Sequence, residues 1–313
     1  MAKGKKYRSD QSGKKRNDKH KSQPVVYLPK SVREQLPKTP SGTVRDHLGL
    51  WLSKYISWEQ DKDGKVKVSR TFQRRLTHDG NETAGSKKSG KSSFQRRSPH
   101  NGTLHLEGNA AKIAEAALQR QRALLRKLQQ QGYHTYAFEL VTASRMVVGL
   151  GIESVLETNL RLHHTYGIPI IPGSALKGLA RSVARRSIDT SNPIFQTAFG
   201  EPKQAGSVIF FDALPLPQLN NHNLSLKLQL DVMNVHFPDY YTGQRFPTEW
   251  QNPNPIFFLT VAPETTFLFS LAVPPDRDRQ TLSQVAQWLQ EGLTTMGIGA
   301  KTSAGYGFFR TVA

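Results

Sequence analysis

The chain has 313 residues, no cysteine, and 43 lysines and arginines against 24 aspartates and glutamates, for a formal net charge of +19. This length can bury a substantial core. The absence of cysteine excludes disulfide scaffolds and cysteine-ligated zinc, and the charge points to a polyanionic partner, of which nucleic acid is the commonest.

The charge is uneven along the chain. Residues 1–109 hold 25 basic and 10 acidic side chains, whereas residues 110–313 hold 18 and 14. Residues 1–24, "MAKGKKYRSDQSGKKRNDKHKSQP", carry almost no large apolar side chains, so a disordered basic N-terminal tail is expected. They contain no signal-peptide core, and no run in the chain approaches the about 20 apolar residues that span a bilayer. A soluble, cytoplasmic protein without a membrane partner is expected.

Residues 25–109 read as an N-terminal extension. In "VRDHLGLWLSKYISWEQ", Val44, Leu48, Leu52, Tyr55 and Ile56 fall at helical spacing and predict a short amphipathic helix. Residues 61–108 read as a polar, basic, low-complexity insertion. Residues 110–313 read as the folded domain. "NAAKIAEAALQRQRALLRKLQQQG" predicts a helix closed by Gly132, and "YHTYAFELVTASRMVVGL" a strand. "IPGSALKGLARSVARR" predicts a helix with Ser174 as N-cap and Leu176, Leu179, Ala180 and Val183 as its apolar stripe. "GSVIFFDAL" and "LSLKLQLDVM" read as strands, and "PIFFLTV" and "TTFLFSLAV" as a hairpin across "APET". A helix over "TLSQVAQWLQEGLTTM", with Leu282, Val285, Ala286 and Leu289 on one face, precedes a closing strand "GYGFFRTV". Strand, helix, strands, helix, strand is most economically an elaborated ferredoxin-like (βαββαβ) α+β domain.

The stretch "GIGAKTSAGYGFF", Gly297 to Phe309, resembles a phosphate-binding loop but is not one for nucleotides. Aligning a Walker lysine on Lys301 places Ala300 and Thr295 where glycines are required, and a dinucleotide fingerprint needs a third glycine at Thr302. Those loops also open helices, whereas this one opens a strand. Two readings remain. Bare backbone at Gly297, Gly299, Gly305 and Gly307 around Lys301 admits a polyanion closely, or the glycines only cap the preceding helix and mark a bulge. Along "GSALKGLARSVARR", Lys177, Arg181 and Arg185 share one helical face at i, i+4 and i+8. Such cations repel by a few tenths of a kcal/mol per pair; the stripe is either a solvated face or a phosphate-binding one.

Together, "SRMVVGLG", "ESVLETNLRLHHTYGIPIIPGSALKGLARSVARR", "FGEPKQAGSVIFFDALP", "LDVMNVHFPDYYTG", "NPIFFLTVAP" and "GIGAKTSAGYGFF" resemble the RAMP superfamily of CRISPR effector proteins. In order and wording they are most similar to its type III-B Cmr-complex members that sit at the guide 3′ end. The resemblance covers about Thr142 to Phe309. It implies a ferredoxin-like (RRM-like) RAMP core with insertions, binding CRISPR guide RNA through backbone contacts. It also implies a place in a complex on target RNA, beside a repeated backbone RAMP subunit, a small helical subunit and a first RAMP subunit. Target cleavage would belong to the backbone subunit, leaving this chain without catalytic residues, metal or cofactor. The expected RNA-binding residues are Ser174, Lys177, Arg181 and Arg185, with Gly297, Gly299, Lys301, Thr302, Gly305, Tyr306 and Gly307.

Candidates for chemistry are few. "DVMNVHFPDYY" groups Asp231, His236, Asp239, Tyr240 and Tyr241, where His236 could serve an endoribonuclease as general base. Such an enzyme, processing precursor guide RNA, is the alternative, since other RAMP proteins do that work; a basic RNA chaperone is a third class. His163 and His164 are adjacent, and neighbouring side chains on a strand diverge, which disfavours joint metal ligation.

Overall fold

The computed structural model describes residues 43–44, 48, 58–60, 66–68, 103–106, 108–154, 158–220, 223–235, 237–244, 246–247 and 254–312. The tail 1–24 lies outside these residues, as does most of the insertion 61–108. Of the helix expected after Val44, Leu48 is helical and fully buried, while Leu52, Tyr55 and Ile56 lie outside the described residues. Val44 itself is in a strand.

In chain order the elements begin with β1 (Thr43–Val44), β2 (Trp58–Gln60), β3 (Val66–Val68) and β4 (Thr103–Leu106). Helix α1 (Asn109–Gln130) follows, then β5 (His134–Thr142), α2 (Gly173–Ser187) and α3 (Pro193–Phe199). Next come β6 (Gly200–Glu201), β7 (Gln204–Ala205), β8 (Ile209–Phe210), β9 (Leu214–Pro215), β10 (Gln218–Asn220) and β11 (Asn223–Val235). A one-turn helix at Pro238–Tyr241 leads to β12 (Asn254–Val261), β13 (Thr266–Val273), α4 (Arg279–Thr295) and β14 (Phe309–Thr311).

The central sheet runs β14–β5–β13–β8, with β9 pairing farther along β13, and every pairing is antiparallel. Numbered within the βαββαβ unit, this is strand order 4-1-3-2, and α2 and α4 pack together as its two helices. The expected ferredoxin-like core is therefore present. Its helices meet closely because Gly292 of α4 faces Leu179 and Val183 of α2; a Cβ there would lie 2.7 Å from Leu179 Cγ. Both expected stripes are buried: Leu176, Leu179, Ala180 and Val183 on α2, and Leu282, Val285, Ala286 and Leu289 on α4. Helix α1 packs on β5, β9 and β11. It closes where Gly132 takes a φ of 86°, with Tyr133 N–H donating to Leu128 O at 3.0 Å and Gly132 N–H to Gln129 O at 2.9 Å.

A second sheet is built from the insertion between β9 and β13. Strand β11 pairs antiparallel with β12, β10 and β4, and β1 runs parallel to β4. Strands that precede residue 110 thus pair with the domain that follows it.

Three local expectations are corrected. "PIFFLTV" and "TTFLFSLAV" do not pair with one another: β12 belongs with β11 and β13 with β5. The turn between them is stitched to the end of β5. Glu264 N–H donates to Thr142 O, Thr265 N–H to Thr142 Oγ1, and Thr142 Oγ1–H to Ala262 O. With Glu264 at a φ of 63°, the chain crosses from one sheet to the other instead of folding back. The strand expected through Leu150 ends at Thr142, beyond which Met146 bridges to Val261 of the second sheet. Ser174 is not the N-cap of α2. The helix starts at Gly173 after Pro172, and the Gly173 N–H is taken from outside the helix by Asp212 Oδ1 at 2.7 Å.

Candidate nucleic-acid interface

The glycine loop leaves the C-terminus of α4, where Gly297 N–H still donates to Gly292 O at 3.0 Å, and is then held on both flanks by backbone. Ile298 N–H donates to Gly307 O at 2.9 Å, Ala300 N–H to Val147 O at 2.8 Å and Gly307 N–H to Arg145 O at 2.8 Å. The two close approaches require glycine: a Cβ at Gly299 would collide with the Val147 carbonyl oxygen, and one at Gly307 with that of Ile298. Gly305 differs, since nothing lies within 4 Å of where its Cβ would be. The tip is a 3₁₀ turn, Thr302–Ala304, entered by Lys301 in the left-handed region (φ 63°), and Ser303, Ala304 and Gly305 are exposed.

What fixes the loop from below is a carboxylate that the sequence offered only as a catalytic candidate. Asp231, in the middle of β11 and 7% exposed, accepts from Tyr306 Oη at 2.5 Å, Arg145 Nη1 at 2.7 Å and Val232 N–H at 2.8 Å. Arg145 Nε also donates to Gln229 Oε1 at 3.0 Å. Burial by itself pushes the Asp231 carboxyl up, but the three donors and the guanidinium charge outweigh it and hold the carboxyl below its usual range. Burial, then the Asp231 hydrogen bond and charge, push the Tyr306 hydroxyl up to about 12. Asp231 is thus an ionised latch joining the loop, the 145–148 segment and the second sheet. Arg145 and Gln229 escaped sequence reasoning because the residues they engage lie far off along the chain: Arg145 is 84 positions from Gln229 and 86 from Asp231. The aromatic support continues above: Phe258 lies 6.0 Å from the Tyr306 ring, and Lys301 Nζ sits 5.7 Å over Phe258.

The α2 stripe is less uniform than its spacing suggests. Arg185 is exposed and Lys177 half-buried, whereas Arg181 lies 5.7 Å over the Phe195 ring with its Nε buried and without a hydrogen-bond partner. Ser174 is exposed in the first turn. The loop and the start of α2 are joined by one path of backbone hydrogen bonds: Ala300 to Val147, Arg161 N–H to Val148 O (2.7 Å), and Ile170 N–H to Arg161 O (3.1 Å), three residues before the helix begins.

Among the described residues the catalytic candidates are not brought together. Asp231 is fully engaged by the latch, and His236 lies outside the described residues. Tyr240 and Tyr241 are exposed with their rings edge-on at 5.7 Å, and for Asp239 only the backbone, within its one-turn helix, is described. His163 stacks on Tyr166 at 4.1 Å, and its Nδ1 accepts the Thr165 and Tyr166 amides. Among the described residues no group of three or more His, Asp or Glu side chains could hold a metal, and no helix is long and apolar enough to cross a membrane.

A family model described as the RAMP superfamily matches residues 139–310. The CRISPR system Cmr subunit Cmr6 of Pyrococcus furiosus is 32% identical over 235 residues, which are 56% of this chain and 67% of that protein. Among solved structures, a chain of the cryo-EM structure of the type III-B Cmr-beta bound to cognate target RNA shares the fold with a TM-score of 0.54. It is 23% identical and covers 64% of this chain and 66% of its own length. A crystal structure of Cmr6 from Pyrococcus furiosus aligns at 30% identity over 58% of this chain and 99% of its own, with a TM-score of 0.40.

Proposed function

The chain belongs to the RAMP superfamily, and on that premise we propose that it is the guide-RNA-binding subunit of a type III-B Cmr effector that caps the guide at its 3′ end and performs no chemistry of its own. The observation that carries this reading is the latched glycine loop. Asp231, Arg145 and Tyr306 use their polar groups on one another to hold a backbone turn outward, with Lys301 beside exposed Ser303–Gly305. An exposed turn beside a cation suits a sugar–phosphate chain and reads no base, as a subunit that must accept any guide requires. The relative named as a Cmr subunit and the shared fold with a chain of a target-RNA-bound Cmr complex support the assignment.

In this role Lys177, Arg181 and Arg185 with Ser174 hold guide phosphates along α2. The loop residues Gly297, Gly299, Lys301, Thr302, Gly305, Tyr306 and Gly307 hold the strand at a second place. The repeated backbone, small helical and first RAMP subunits are the protein neighbours, and target RNA pairs with the guide they share. The buried carboxylate beneath the loop is already ionised and saturated by donors, so it is not free to act as a general base.

The test is to recover the tagged protein from its native host and sequence the RNA and proteins that come with it. Guides and the other Cmr subunits are expected together. Incubation of the purified chain with precursor guide RNA is expected to leave the RNA intact, and site-specific cutting there would replace this reading with the processing endoribonuclease.

A further inference from the structure

The two expected RNA-binding elements, the glycine loop and α2, are separated by more than 100 residues in the chain and require something to carry the strand from one to the other. Arg161 occupies that position. Its amide donates to Val148 O, next to the Val147 carbonyl that holds Ala300 of the loop, and its own carbonyl accepts from Ile170 N–H at the approach to α2. Each step between hydrogen-bonded backbones is about 5 Å, so Arg161 stands on the order of 10 Å from the loop. Its side chain is exposed. No ion pair, hydrogen bond or ring contact engages its guanidinium among the described residues, a state it shares with Arg126, Arg185, Arg186 and Arg279, but of these Arg161 alone lies on the backbone path between the loop and α2. The stretch from Thr158 to Ile188 contains Arg161, Lys177, Arg181, Arg185 and Arg186 and no acidic residue, so this run is uniformly basic.

We infer that Arg161 is a further phosphate-binding residue, joining the glycine loop and α2 into one continuous path for single-stranded RNA. The inference rests on the RNA-binding reading above and adds the residue and the path of the strand. A guanidinium without a partner among the described residues, carried on a backbone held on both sides, can present its fork of donors to a phosphate.

The experiment measures affinity of the full chain for single-stranded oligouridylate over a salt series, for wild type, Arg161→Ala, Arg161→Gln, Arg161→Lys and Lys301→Ala, with thermal unfolding of each. Each phosphate neutralised by a cation contributes about 0.7 to the log–log salt slope on a single strand. The expected result is a drop of that size for Arg161→Ala and Arg161→Gln at unchanged unfolding temperature, with the slope retained by Arg161→Lys. A wild-type slope for both neutral variants, while Lys301→Ala shows the drop, overturns the role of Arg161 and leaves the RNA-binding reading standing. Wild-type slopes for all variants, Lys301→Ala included, overturn both.

Discussion

At the scale of single residues, Asp231 separates architecture from chemistry. Its carboxylate is ionised, buried and shared by three donors, so replacing it with alanine strands the Arg145 guanidinium and the Tyr306 hydroxyl and should cost about 2–3 kcal/mol. The sign of the pH dependence follows from the direction of each shift. Because the folded carboxyl titrates below its usual value of 3.8, its contribution is complete above that value and is lost as the pH falls through the lower, folded one. Tyr306 works in the opposite arm. Its contribution is complete below 10.0 and is lost as the pH rises toward about 12. Chemical denaturation across pH should therefore show Asp231→Asn flattening the acid limb and Tyr306→Phe the alkaline limb. An acid limb unchanged in Asp231→Asn would show that the latch does not contribute to stability. The loop glycines divide in the same way. Gly299→Val and Gly307→Val collide with carbonyl oxygens and should lose folding and RNA binding together. Gly305→Ala meets open space and costs only its left-handed backbone, about 1 kcal/mol, so any larger loss of RNA affinity reports a strand passing the tip. Thermal unfolding and RNA affinity on the same three proteins distinguish these cases.

At the scale of elements, α2 presents two different faces. Leu176, Leu179, Ala180 and Val183 dock it against α4 and the sheet, while its cations face outward to different degrees. Replacing Lys177, Arg181 and Arg185 together with alanine should weaken RNA binding evenly across sequences and lower the salt slope by roughly 0.7 for each phosphate no longer neutralised. The members should not be equivalent in stability. Arg181→Ala also removes a guanidinium stacked 5.7 Å over Phe195 and should cost about 1 kcal/mol, whereas Arg185→Ala should cost almost nothing. An unchanged salt slope in the triple variant would assign the stripe to solvent.

At the scale of the whole molecule, the charge of +19 is mostly carried by residues 1–109, and the domain that follows has nearly balanced charge. Affinity and specificity of placement should therefore be separable. Deleting residues 1–24 should reduce RNA affinity at low salt, leave it nearly unchanged at high salt, and leave entry into the Cmr complex intact. Co-purification of the truncated chain with its neighbours checks this; failure to assemble at moderate salt would make the tail a docking element.

The sequence by itself determined the order of the core elements, the buried stripes of both core helices, the existence of the glycine loop and the family. Each is encoded locally, in a period of 3.6 or about 2, a run of glycines or a motif, and needs no knowledge of what lies opposite. It misplaced the pairing of β12 and β13 and the cap of α2, offered Asp231 only among candidates for chemistry, and missed the contacts of Arg145 and Gln229. These depend on contacts between residues far apart in the chain. Thr142 reaches across to Ala262 and Thr265, Asp212 to Gly173, and Asp231 to Arg145 and Tyr306. Only tertiary structure decided them, because a short polar side chain has no periodic signature, and its partner is set by which backbones the folded sheets bring within hydrogen-bond reach.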